Sequence, residues 1–289
     1  MRKLLFAVTV VLLAAAVAGA GEPPKGHLVL IGGGDKPDAA MRKFVELAGG
    51  PGAPIAVLPT ASSSKKTGPN QKKQFEQEFG CTDVTVVPIK ERAQSFDEGF
   101  VKTLAGARGI FFSGGDQALI IRAMRGTPAG DAVATAFAAG AVVGGTSAGT
   151  ACQSPLMITG NGNFKVIEAN NVELWEGLGF FAGVIVDQHF VARQRQNRLI
   201  SVILEHPELL GVGVDEDTAV WVKPDRTFEV IGASNVIVVD AAATTVTRAP
   251  AAGGGELIGG RDLKVHVLLA GERFDLASRT VMPAASETR

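Results

Sequence analysis

Gly144-Gly145-Thr146-Ser147-Ala148-Gly149 follows the apolar stretch 138–143, and its reading as strand, tight turn and helix start decides the architecture. Small residues on both sides of Ser147 let the backbone turn sharply. Such a bend lifts the hydroxyl above a sheet edge and aims the next N–H groups at a developing oxyanion. The same grammar recurs upstream. Residues 27–31 (H-L-V-L-I) run into Gly32-Gly33-Gly34 ahead of a helical pattern over 38–48. Residues 109–112 run into Ser113-Gly114-Gly115-Asp116-Gln117 ahead of another over 118–124. Between them, 55–58 and 82–87 read as strands, with a polar loop from Ala61 leading into a helix that carries Phe75 and Phe79. Five strands, each followed by a turn or helix, predict an α/β fold with a doubly wound, mostly parallel sheet. Functional groups in such sheets collect beyond the strand carboxyl ends, where all three glycine turns lie. The first turn has Pro37 where a dinucleotide-binding fingerprint needs its last glycine, so no cofactor is expected.

Beyond the bend, 184–186 reads as a strand followed by Asp187-Gln188-His189-Phe190 and a helical stretch with Arg193, Arg195 and Arg198. Residues 211–214 precede Asp215-Glu216-Asp217, and from Asn235 onward the pattern is β with turns, expected to extend the sheet as a β-rich C-terminal extension. No linker or repeat marks a boundary, so residues 21–289 are expected to form one α/β domain.

A serine hydroxyl needs a base, and His189 also follows an apolar strand, which puts it on the same edge as Ser147. The Gly114, Gly115 and Ala148 N–H groups are the expected oxyanion donors. Arg193 lies four residues after His189 and would share its helix face, and three guanidinium groups beside such an edge suit carboxylate recognition. Glu168, Glu173, Asp215, Glu216 and Asp217 all remain open as the acid behind the histidine. In a rival esterase reading of the Ser147 bend the base comes late, at His266.

Arg2 and Lys3, an uncharged run 4–17 and Ala18-Gly19-Ala20 form a secretory leader over residues 1–20, so a secreted or periplasmic chain without membrane anchor is expected. Its loss leaves 26 basic against 29 acidic side chains, a net charge near −3 that argues against a nucleic-acid partner. Four scattered histidines and two cysteines offer no metal-ligand spacing. Cys81 and Cys152 are expected to be buried free thiols rather than a disulfide scaffold.

Five ordered motifs together resemble the cyanophycinase family and its relative aspartyl dipeptidase. They are I-G-G-G at Ile31, F-F-S-G-G-D-Q at Phe111, G-G-T-S-A-G at Gly144, D-Q-H-F with R-x-R-x-x-R-L from Asp187, and G-V-G-V-D-E-D-T-A at Gly211. The resemblance implies a flavodoxin-like, class I glutamine-amidotransferase-like sheet and a serine peptidase with Ser147 as nucleophile, His189 as base and Glu168 as the third catalytic residue. It further implies that Gln117, Asp187, Gln188, Arg193, Arg195 and Arg198 line the substrate pocket. The implied substrate is cyanophycin, poly-aspartate carrying arginine on its side-chain carboxylates, released as β-Asp-Arg. An aspartyl or isoaspartyl dipeptidase and a non-catalytic binding relative are the alternatives, and a homodimer is a further implication.

Overall fold

The computed structural model describes residues 24–283, so the leader expected over residues 1–20 lies outside the described residues. The amino-terminal half alternates strand and helix: β1 (Leu28–Ile31), α1 (Asp38–Ala48), β2 (Ile55–Leu58), α2 (Thr67–Glu78), β3 (Val84–Val86), α3 (Glu98–Gly106), β4 (Gly109–Phe112), α4 (Gln117–Met124), α5 (Pro128–Ala138), β5 (Val142–Thr146) and the short α6 (Ala148–Ala151). Local chemistry sets several of these ends. Asp97 and Asp116 cap α3 and α4 with their carboxylates, and Thr127 caps α5, which has Pro128 in its first turn. The left-handed Gly49 ends α1.

A β-rich half follows: the hairpin β6 (Leu156–Gly162) and β7 (Val172–Glu176), then β8 (Val184–Gln188), α7 (Gln196–Glu205), β9 (Leu210–Val214), β10 (Thr218–Val222), β11 (Thr227–Gly232) and β12 (Val236–Asp240). The chain closes with the hairpin β13 (Thr245–Pro250) and β14 (Glu256–Arg261), then β15 (Lys264–Leu268), β16 (Arg273–Asp275) and β17 (Thr280–Met282).

The main sheet runs β17-β16-β11-β10-β1-β5-β4-β2-β3. Its five amino-terminal strands are mutually parallel, and the four carboxyl-terminal ones add antiparallel neighbours. β1, β2 and β4 are buried along their whole length, and their sequences read as nearly unbroken apolar runs. One face sets Val29, Ile31, Val57 and Phe111 against Phe44 of α1 and Phe75 of α2. The other sets Leu30, Leu58, Phe112 and Val143 against α3, α4 and α5.

The tail extends this sheet only in part. β8, β9, β12 and β15 form a second, four-stranded sheet in the order β15-β12-β9-β8. The cause is competition for an edge: β10 folds back antiparallel along β1 and occupies its free side, leaving β8 and β9 to pair with each other. Val184, Val186, Val212 and Val238 of the second sheet still join the same apolar cluster as the main sheet, so the two sheets share one core. α7 covers the far face of the second sheet through Leu199, Val202 and Ile203. Cys81 and Cys152 are buried and unpaired, and burial pushes the Cys152 thiol far up. Among the described residues no helix is long and apolar enough to cross a membrane.

Candidate active site

The bend after β5 is built from glycines because backbone passes backbone there. A methyl group on Gly145 would lie 2.2 Å from the Gly149 carbonyl oxygen, and one on Gly149 would lie 2.2 Å from that of Phe112. The close approach forces Ser147 into φ 54°, ψ −113°, a conformation that L-residues rarely adopt. Two bonds hold it there: the Ser147 N–H donates to the Ile31 carbonyl at 3.0 Å, and the Thr150 hydroxyl donates to the same carbonyl at 2.6 Å. The hydroxyl of Ser147 is thereby presented at the carboxyl edge, beginning a helix whose first N–H is that of Ala148. Gly114 lies against it: a methyl group there would sit 3.3 Å from Ser147 Cβ, a tight contact, so the β4 turn runs close to the serine.

His189 immediately follows β8 and is also left-handed, at φ 50°. Its N–H donates to the Gly32 carbonyl at 2.7 Å, tying the second sheet to the first glycine turn. Gly33, at φ 119°, forms the floor under the imidazole, where a methyl group would sit 2.1 Å from His189 Cε1. His189 Nε2 lies 2.8 Å from Ser147 Oγ, and Nδ1 meets Glu216 Oε1 directly. A Nδ1 proton donated to the carboxylate leaves Nε2 free to accept the serine proton. Burial holds the His189 pKa below its ordinary value, the Glu216 carboxylate opposes this, and the Arg193 cation adds to it.

Glu168, expected as the third catalytic residue, is not at the histidine. It bridges to Leu257 beside the loop at Gly255, on the outer hairpin. Glu173 lies on β7 and bonds Thr159 and Asn161. Asp215 accepts the Val191 and Ala192 N–H groups and the Ser234 hydroxyl, and Asp217 accepts the Asp35 N–H, so both fasten loops. Of the open candidates the structure brings Glu216 to the imidazole. His266 lies on β15 with its ring edge-on to Phe274, part of the second sheet rather than of the Ser147 edge.

The expected arginine helix face is replaced by a turn. Residues 189–195 are not helical, Gln194 takes φ 52°, and α7 starts only at Gln196, because the Asp215 carboxylate claims two N–H groups of the turn. Arg193 is half exposed and its Nε lies 3.6 Å from Glu216 Oε1. Arg195 donates to the Gln188 carbonyl at 2.7 Å, and burial beside Arg198 pushes its pKa down to about 10.

Asp187 and Arg198, expected to line the pocket, are each 1% exposed and pair with each other through both guanidinium nitrogens that reach the carboxylate. Phe164 covers the guanidinium at 4.7 Å. The buried pair has no surface to offer a ligand; it braces the end of β8, where Asp187 Oδ1 also accepts the Gln188 N–H. Gln188 Oε1 lies 3.5 Å from Ser147 Oγ. Gln117, at the start of α4, donates to the Ile158 and Thr159 carbonyls and lines a polar hollow beside the β4 turn.

A strained serine hydroxyl on a parallel-sheet edge, bonded to an imidazole that a carboxylate backs, is an arrangement suited to acyl transfer. Comparison with known proteins places the chain among peptidases. Residues 28–230 match peptidase family S51. The cyanophycinase of Nostoc sp. is 35% identical over 245 residues, covering 84% of this chain and 82% of that protein. The cyanophycinase of Geminocystis herdmanii is 32% identical over 248 residues, covering 86% and 91%. The crystal structure of a peptidase from an acI-B1 Actinobacterium superposes with TM-score 0.65 at 22% identity, over 88% of this chain and 98% of that one, and shares the fold. The chain belongs to peptidase family S51 and is a peptidase.

Proposed function

We propose that the chain is an exported serine exopeptidase that hydrolyses cyanophycin to β-Asp-Arg dipeptides. The observation that carries the chemistry is the line from Ser147 Oγ through His189 to Glu216. In this reading His189 Nε2 takes the serine proton as Oγ attacks the scissile carbonyl, and Glu216 stabilises the imidazolium that forms. The Gly114, Gly115 and Ala148 N–H groups receive the oxyanion, a role supported by the contact of Gly114 with Ser147. His189 then gives its proton to the departing amine, and a water molecule repeats the sequence to release the acyl group. The curated relatives named cyanophycinase support the substrate. The leader pattern over residues 1–20 supports export.

The purified chain incubated with insoluble cyanophycin is expected to release β-Asp-Arg, detected by mass spectrometry, and Ser147→Ala to release none. Equal release by Ser147→Ala refutes the mechanism. Cleavage of short β-aspartyl dipeptides with none of the polymer refutes the substrate. For export, amino-terminal sequencing of protein recovered outside the cytoplasm is expected to begin at Gly21.

A further inference from the structure

Beside the β4 turn, a polar hollow of about 340 Å³ opens from Gly115 and Gln117 and reaches the β6–β7 hairpin at Glu173 and Trp175. Its wall begins at Gly115, one residue after Gly114, which lies against Ser147. The hairpin is pinned there: Gln117 Nε2 donates to the Ile158 and Thr159 carbonyls at 2.8 and 2.7 Å. Glu173 Oε2 accepts from Thr159 Oγ1 and from Asn161 Nδ2, both at 2.7 Å. These bonds hold the Glu173 carboxyl below the usual carboxylate range, so it is charged at neutral pH. Asp116, which also lines the hollow, uses Oδ1 to cap the Ala118 N–H. Arg122, the cation of the hollow, lies 4.9 Å over the Trp175 ring. Two carboxylates against one guanidinium leave the hollow one negative charge in excess.

We infer that this hollow is a cation-selective subsite in which Glu173, with Asp116 also lining it, receives the guanidinium of a substrate arginine side chain. The inference rests on the peptidase reading above and assigns Glu173 to specificity rather than to chemistry. A guanidinium presents several N–H donors in one plane and suits carboxylates better than a point charge does. The hollow would therefore favour arginine over its neutral isostere citrulline, and arginine over lysine.

The test compares kcat/KM for β-Asp-Arg oligomers with that for citrulline and lysine counterparts, in the unmutated protein and in Glu173→Gln. The unmutated protein is expected to prefer arginine over citrulline by about tenfold or more, and Glu173→Gln to bring the ratio close to one. A ratio unchanged by Glu173→Gln overturns the subsite. Calorimetry on Ser147→Ala separates this from failure of the reaction itself. Tighter binding of the arginine oligomer, without cleavage by the unmutated protein, keeps the subsite and refutes the reaction. Equal binding of the arginine and citrulline oligomers overturns the subsite.

Discussion

Replacing Asp187 by Asn distinguishes a brace from a substrate ligand. Asp187 and Arg198 are both 1% exposed and joined by two hydrogen bonds, and Arg195 Nη1 lies 3.7 Å from the same carboxylate. Asparagine keeps the shape but leaves the Arg198 guanidinium charged in the core without a counter-ion. Removing one partner of such a pair costs about 3–5 kcal/mol. At about 2–4 °C per kcal/mol for a chain of this size, the thermal midpoint is expected to fall by about 6–20 °C. Arg193→Gln, at a half-exposed position, serves as a reference and should change stability by less than about 1 kcal/mol. The assay is a thermal melt alongside urea unfolding, with KM and kcat measured well below the melting range. A raised KM with an unshifted melt would refute the argument, because it would mean that Asp187 meets substrate and that Arg198 does not depend on it.

Two further outcomes follow from the same geometry. Glu216→Gln is expected to lower kcat by about a hundredfold to ten-thousandfold, as loss of the acid behind a catalytic histidine does, whereas Glu168→Gln should stay within about twofold; comparable losses in both would refute the assignment of Glu216. Burial holds the His189 pKa below 6.5, so the acid limb of kcat/KM should fall below pH 6.5, and Arg193→Gln, which removes a cation that lowers this pKa, should move the limb toward neutral. The stability linkage has the matching sign: just below pH 6.5 the unfolded chain binds the extra proton, so the His189 contribution is complete above that pH and is lost as pH falls toward the folded value. A limb that shifts further into acid in Arg193→Gln would contradict this.

Local chemistry made much of this protein readable from its sequence. Helix α1 and strands β2 and β4 fall where the apolar runs and glycine turns predict. The Ser147 bend was legible because part of its crowding, Gly145 against the Gly149 carbonyl, acts within a few residues, whereas Gly149 meets Phe112 of β4 across the fold. Pairing across the chain was not legible in this way. β8 and β9 are separated by a helix, yet they lie parallel with Gln188 beside Val214, so the residues just past each strand, His189 and Glu216, emerge together. The run Asp215-Glu216-Asp217 after an apolar strand was a visible signal, but three adjacent carboxylates look alike until register turns one toward the imidazole and the others toward backbone N–H groups. Composition likewise shows arginines and an aspartate near the histidine, while only packing decides that Asp187 and Arg198 are sealed from solvent and Arg193 is not. The glycine-rich turn at Ser147 owes part of its shape to short-range sterics and was to that extent present in the sequence. Which carboxylate meets His189, and the division of charges between brace and surface, depend on strand register and burial, which exist only in the assembled tertiary structure.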